Sequence, residues 1–342
     1  MKFGPVPVGE AEGAFAAHAL RHPGVVLKKG DPIKPAHVAA LRSAGVGEVV
    51  VARLEEGDVG ENEAAGALAL RLCGPNLRAD PAFTGRANLF AIAAGVFRAD
   101  TGAVDRINAA DEAITLATLP DLRAVVEGEM VATVKIIPFA VPRASFEAAL
   151  ASCGAPVLTV APYRPLRIAV VSTLSPGLKP SVVDKTVRVL RERVAPAGAA
   201  LVADERVAHE EGALALVLER VTQAADLTVV FGASAITDRR DVIPAALERA
   251  GGAIIHFGMP VDPGNLLLLG ADAKGAPVLG APGCARSPKE NGFDWVLQRL
   301  LAGLPVTAGD VTRMGVGGLL MEIVSRPQPR EGGSSEAEPD GG

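Results

Sequence analysis

From Arg167 onward, short β-branched apolar runs alternate with segments whose apolar residues recur every three to four positions. That alternation predicts a parallel sheet covered by helices on both faces. Strands are expected at 167–172, 199–203, 227–231 and 253–256, with helices at 181–194, 210–224 and 241–250 between them, crossovers long enough for right-handed βαβ units. A hairpin follows, 266–269 returning as 277–280 through Ala273-Lys274-Gly275, and a helix at 288–301 closes the unit. The expected fold class is α/β, a doubly wound and mostly parallel sheet preceded by a mixed α+β region.

The first half is less regular. A helix is expected at 34–43, a strand at 48–52, an Ala-rich helix at 61–72 after the polar turn 56–60, an apolar strand at 129–138 and a short helix at 145–152. His18 and His22 stand four apart in a stretch that reads as helical and ends at Pro23; with no third ligand nearby they are expected to be surface histidines rather than a metal pair. Three prolines in 156–165 stiffen a connector no helix can run through, which predicts a domain boundary there. The divisions expected are 1–162, 163–308, an extension at 309–325 that could form a strand, and a disordered Pro-, Gly-, Ser- and Glu-rich tail at 326–342. No internal repeat of fixed period is present, which excludes solenoids and propellers.

Composition narrows the function classes. The 342 residues are 49% hydrophobic but only 4% aromatic, so helix-on-sheet packing is well supplied and base-stacking platforms are not. A formal net charge of −5 and the absence of a dense Lys/Arg cluster argue against nucleic acid as a partner. Three cysteines without CxxC spacing suggest neither a disulfide framework nor a thiolate metal site, and fit a reducing cytoplasm. No signal-like N-terminus and no apolar run of about 18 residues is present, so no membrane association is expected.

The candidate chemistry gathers after the expected strand 227–231. Gly232-Ala233-Ser234-Ala235 is a loop of small residues leading to Arg240-Asp241 at a helix start, an order that brings unpaired N–H groups and the positive end of a helix dipole to an anion. Phosphate is the natural guest, and Asp241 is a candidate to hold Mg²⁺ against it, since Mg²⁺ takes only one or two protein carboxylates. Its plainer role is a helix N-terminal carboxylate. Asp204, expected at the end of the second strand, would face the same crevice as a second metal or proton-transfer group, or would simply cap a loop. Two Pro-Gly turns, Asp262-Pro263-Gly264-Asn265 and Ala281-Pro282-Gly283-Cys284-Ala285-Arg286-Ser287-Pro288, expose backbone N–H groups. Arg286 offers a guanidinium fork to a phosphate, and Ser287 before Pro288 suits a helix cap. Cys284 lacks an evident His/Asp partner and reads as a small buried residue. Neither GxGxxG nor GxxxxGK[ST] occurs, so the usual dinucleotide and P-loop fingerprints are absent.

Together, Phe231-Gly232-Ala233-Ser234, Arg240-Asp241-Val242-Ile243-Pro244, Asp262-Pro263-Gly264-Asn265 and Pro282-Gly283-Cys284 resemble, in order and spacing, the molybdopterin-binding domain of molybdopterin adenylyltransferases and molybdotransferases. The resemblance spans 166–303. Lys29-Gly30-Asp31-Pro32-Ile33, Asp58-Val59-Gly60-Glu61-Asn62-Glu63-Ala64-Ala65 and Val131-Ala132-Thr133-Val134-Lys135-Ile136-Ile137-Pro138 extend it to the molybdotransferase front region and to the front of fusions with a cofactor cytidylyltransferase, whose second half this sequence lacks.

The resemblance implies a molybdopterin or molybdenum cofactor as ligand, Asp241 and Asp204 as catalytic or metal-binding carboxylates, and Ser172, Thr173, Gly232, Ala233, Ser234, Arg240, Pro263, Gly264, Asn265, Pro282, Gly283, Arg286 and Ser287 around the pterin and its phosphate. It implies three alternatives: a binding protein for cofactor biosynthesis or delivery, a Mg²⁺-dependent transferase using ATP or CTP, or a scaffold docking a cytidylyltransferase or molybdoenzyme, in each case as a homo-oligomer. The sequence departs from the family pattern where Leu174-Ser175-Pro176-Gly177 replaces Gly-Asp-Glu after Ser172-Thr173, and where Gly-Ala-Ser-Ala replaces Gly-Gly-Thr-Gly. Those departures favour binding over turnover.

Overall fold

A computed structural model describes residues 1–154 and 156–320 and divides the chain into two compact units between Pro162 and Tyr163. The expected tail at 326–342 and the end of the expected extension, 321–325, lie outside the described residues.

In the first unit, Lys2–Pro7 pairs antiparallel with Glu48–Arg53, which also pairs with Phe15–Ala16. A four-stranded antiparallel sheet of Ile114–Thr118, Met130–Ile136, Arg86–Ala91 and Leu77–Ala79 packs against the helix Glu61–Leu72 through Leu68, Leu72, Leu89 and Ile136. His18 and His22 are not on a helix. Leu20–His22 is a strand paired with Val25–Leu27, because Gly24 turns the chain with a φ of 79° and forms a hairpin instead; both histidines are exposed.

The second unit is built on one six-stranded sheet. Its strands are β1 (Arg167–Leu174), β2 (Ala200–Ala208), β3 (Leu227–Phe231), β4 (Ala253–Phe257), β5 (Leu268–Ala271) and β6 (Pro277–Ala281), in the order β2-β1-β3-β6-β5-β4. The pairs β2–β1, β1–β3 and β3–β6 are parallel, while β6–β5 and β5–β4 are antiparallel. Helices α1 (Pro180–Val194), α2 (Glu211–Val221), α3 (Val242–Arg249), α4 (Gly292–Leu301) and α5 (Ala308–Thr312) complete it.

Burial explains the layering. The central strand β3 is buried at every residue from Leu227 to Phe231, the continuous apolar run of a strand covered on both sides. Ile168, Val170, Val229 and Leu279 face one core with Val183, Val187 and Leu190 of α1 and Phe293, Val296 and Leu297 of α4. Ala169, Val171, Val230 and Val278 face the other with Leu214 and Leu218 of α2 and Ile243 and Leu247 of α3.

Three expectations are corrected here. β2 runs to Ala208 rather than stopping at 203, because an edge strand carries charge without cost and Asp204-Glu205-Arg206 therefore continues the strand instead of ending it. α4 begins after Asn291, not Ser287: the Asn291 side chain accepts from the Phe293 N–H while Asp294 accepts from the Asn291 N–H, so the start signal is this reciprocal cap. At 309–320 the chain forms the end of α5, a 3₁₀ turn at Arg313–Gly315 and a single bridge between Leu319 and Asp262, not a strand.

Candidate functional site

The chain leaves β1 for β2 on one side and returns to β3 on the other, so the carboxyl ends of β1 and β3 flank a topological switch point, where open α/β sheets bind ligands. Register levels this end of the sheet. Ser172 pairs with Phe231, Phe231 with Ala281, Gly280 with Leu268 and Leu268 with Phe257. The loops after β1, β3 and β6 and the loop from β4 to β5 thus emerge along one rim. Ser172, Thr173, Gly232, Ala233, Ser234, Pro263, Gly264, Asn265, Pro282, Gly283, Arg286 and Ser287 belong to these strand ends and loops.

At the switch point a chain of hydrogen bonds joins three elements. The Ala233 N–H donates to Thr173 Oγ1 at 2.8 Å, Thr173 Oγ1 lies 2.8 Å from His209 Nδ1, and His209 Nε2 lies 3.1 Å from Ser234 Oγ. Thr173 is fully buried and Ser234 exposed, so the chain leads from the core to the surface. His209 was not among the candidates from sequence. It immediately follows β2, and the true length of that strand is what delivers it to the rim; its backbone N–H donates to the Leu174 carbonyl at 2.9 Å, tying it to the end of β1. Gly232 is required where it stands: a Cβ there would lie 2.5 Å from the Ser234 carbonyl oxygen and 3.0 Å from Ile243 Cδ1.

Arg286 approaches the same turn from the α1 side. Its Nη2 donates to the Gly232 carbonyl at 2.7 Å, its Nη1 to Thr186 Oγ1 at 2.9 Å, and its guanidinium carbon lies 5.4 Å from the centre of the Phe231 ring. Burial pushes the guanidinium below its ordinary pKa, and among the described residues no carboxylate lies within ion-pair distance of it. Ser172 shares that face with Phe231 and is buried, its hydroxyl lacking a hydrogen-bond partner among the described residues. Among the described residues, a half-buried cation without a counter-charge and an unpaired hydroxyl at the neighbouring strand end leave unspent attraction for an anion.

The other loops are fastened to this frame. Arg193 of α1 donates to Asp294 at 2.6 Å and to the carbonyls of Ala285 and Ser287 at 2.6 and 2.5 Å, holding the segment that carries Arg286. The Asp294 carboxyl is pushed up by burial, with Arg193 opposing. The Pro263 carbonyl accepts from the Gly292 N–H at 2.8 Å, and Asn265 bonds Met259 through both backbone and side chain. Gly264 sits so close that a Cβ would lie 2.8 Å from Gly292. Around Gly283 the corresponding space is open. The Ser287 hydroxyl accepts from Lys289 N at 3.3 Å rather than capping a helix. Burial pushes the Cys284 thiol up, away from the thiolate a nucleophile needs.

Residues 5–53 match a family model described as a domain of unknown function, DUF8806. No curated protein matches the chain. Among solved structures the chain is similar to the molybdopterin biosynthesis moea protein from Pyrococcus horikosii, at 14% identity over 91% of this chain and 77% of that one, with a TM-score of 0.32. It is also similar to a molybdenum cofactor biosynthesis protein from Pyrococcus furiosus, at 12% identity over 94% and 68% of the two chains, with a TM-score of 0.26.

The two carboxylates expected to share a Mg²⁺ ion are placed differently. Asp241 is the N-cap of α3, its Oδ1 accepting from the Val242 N–H at 2.8 Å and its Oδ2 from the Thr237 N–H at 3.2 Å. Asp204 is level with Val170, four residues and therefore about 13 Å before the end of β2, and lies exposed beside Arg206, which also holds Asp184. Arg240 extends into solvent and pairs with Asp238 at 2.8 Å. Among the described residues no group of three His, Cys, Asp or Glu side chains is arranged to hold a metal. The donor set does not fit the two-carboxylate Mg²⁺ site.

Proposed function

We propose that the second unit binds the phosphate of a molybdopterin-type pterin at the rim above β1, β3 and β6, and that the protein acts in molybdenum cofactor biosynthesis or delivery. The observation that carries the reading is Arg286, half-buried on the Gly232 turn with two neutral hydrogen-bond partners and, among the described residues, no carboxylate in ion-pair range. The Ser172, Thr173 and Ser234 hydroxyls stand at the same strand ends and turn, whose sequences resemble the molybdopterin-binding domain. Charge-assisted bonds from a guanidinium to a phosphate are the strong ones available to this donor set, and the small residues at 232–235 keep the approach open. Binding is favoured over transfer because both expected metal carboxylates are engaged elsewhere, Asp241 in its own turn and Asp204 on the edge strand.

The test incubates the purified protein with molybdopterin, with and without Mg²⁺ and ATP, and identifies the retained species by mass spectrometry. Retention of unmodified pterin, independent of Mg²⁺, is expected. Loss of retention overturns the reading, and accumulation of a nucleotidyl-pterin replaces it with the transferase alternative.

A further inference from the structure

Resting on the reading of the rim as a phosphate site, the Thr173–His209–Ser234 chain allows its polarity to be worked out. Thr173 Oγ1 already accepts the Ala233 N–H, and its own proton is buried with the rest of the side chain. Among the described residues the acceptor within its reach is His209 Nδ1, 2.8 Å away. A buried hydroxyl proton left without an acceptor is costly, so Nδ1 is the unprotonated nitrogen and the ring carries its proton on Nε2. That N–H then donates to Ser234 Oγ at 3.1 Å, which occupies a lone pair of the serine and leaves its proton free. Ser234 is exposed at the rim, so its O–H has solvent, or a bound anion, to meet.

We infer that His209 is a positioning residue that fixes the sense of a hydrogen-bond relay running from the buried Thr173 hydroxyl to Ser234, and so presents the Ser234 O–H as an outward donor to a phosphate oxygen. The relay reads opposite to a nucleophile's. A serine activated for attack donates to histidine and then loses its proton to it, whereas here the histidine N–H donates a hydrogen bond to the serine oxygen and keeps its proton. The ligand class that follows is an oxyanion that accepts hydrogen bonds, a phosphate monoester rather than an acyl group to be cleaved. Arg286 supplies the charge on the other side of the Gly232–Ser234 turn.

The experiment titrates inorganic phosphate into the full chain and into S234A, H209L, H209Q and the H209L/S234A double variant by calorimetry, with thermal melts alongside. Loss of one good donor weakens binding about tenfold, so S234A and H209L are each expected to bind about tenfold more weakly, and the double variant no more weakly than either, since one relay is broken once. Glutamine carries an acceptor and a donor on one carbon and keeps the sense of the relay, so H209Q retains affinity within about threefold of the unmodified chain. Additive losses in the double variant, affinity in S234A equal to that of the unmodified chain, or a loss in H209Q as large as in H209L overturns the relay. So does labelling of Ser234 by a fluorophosphonate, the signature of an activated serine. Because Ser234 is exposed, S234A and the labelling decide the matter even where H209L fails to fold. An unmodified chain that binds no phosphate overturns the reading of the rim, and the relay with it; binding with additive losses overturns the relay alone.

Discussion

Replacing Arg286 by methionine separates an anion site from a structural tether. The substitution removes a hydrogen bond to the Gly232 carbonyl and one to Thr186 Oγ1, while keeping an unbranched stem to lie against Phe231. Hydrogen bonds from a charged group are each worth about 1.5–3 kcal/mol when made, but the half-buried guanidinium pays desolvation for them, the same desolvation that pushes its pKa down. Thr186 remains satisfied by donating to the Val182 carbonyl at 2.8 Å, so only the Gly232 carbonyl loses its partner. The two effects nearly cancel, and the stability change is expected to stay within about 1 kcal/mol. Affinity for phosphate has no such compensation. Losing a charge-assisted contact of about 1.5–3 kcal/mol lowers it roughly 10- to 150-fold. Urea denaturation gives the first number and calorimetric titration with phosphate the second. A variant that loses about 3 kcal/mol or more of stability, or that binds phosphate as well as the unmodified chain, would refute the assignment of Arg286 to an anion.

Two further outcomes follow from the same geometry. Gly232→Ala drives a Cβ against the Ser234 carbonyl and Ile243 and is expected to cost about 1–3 kcal/mol as the turn shifts, with a parallel loss of phosphate binding; a denaturation midpoint unchanged from the parent contradicts the close approach. Acid sensitivity should rest partly on Asp226, whose carboxyl is held below the usual range by Arg167 side-chain and backbone donors at the start of β1. A depressed carboxyl contributes stability above its unfolded pKa and loses it as pH falls through the folded one. Asp226→Asn should therefore flatten the stability profile below about pH 4, by no more than about 1 kcal/mol because the pair is solvent-exposed; an unaltered acid limb in urea titrations at pH 3–5 excludes that role.

The second unit was largely legible because its signals are strong and local. β3 is a five-residue apolar run bounded by a turn glycine, and α1 alternates buried Val183, Val187 and Leu190 with charged residues, so both elements are written in hydrophobic period. Asp241 at a helix start was legible for a similar reason, as short acidic side chains there satisfy orphan N–H groups. Edge strands hide their length. The charges of Asp204, Glu205 and Arg206 look like a strand ending, yet they sit on a strand with one free edge, and misplacing that end by five residues put Asp204 at the rim and removed His209 from it. In the first unit, Leu77–Ala79 is only three residues long, Gly95–Ala99 pairs with the distant Leu158–Pro162, and the helix Thr101–Ala110 has only Ala103 and Ile107 buried. Neither period nor turn chemistry marks them in isolation. Arg193 escaped notice for another reason: its partners, Asp294 and the carbonyls of Ala285 and Ser287, come together only in three dimensions.

The antiparallel hairpin of β5 and β6 turns at Asp272–Ala276, at the end of the sheet away from every loop assigned to the ligand. The backbone of that tip is held locally, with the Asp272 carboxylate accepting from the N–H groups of Lys274 and Ala276 and Gly275 in a left-handed conformation, while Lys274 Nζ donates to Gln223 Oε1. The proposed ligand rim and this hairpin tip therefore lie at opposite ends of the second unit's sheet. A dye or an affinity handle grafted at Lys274 gives a reporter whose attachment leaves recognition at the far pole undisturbed.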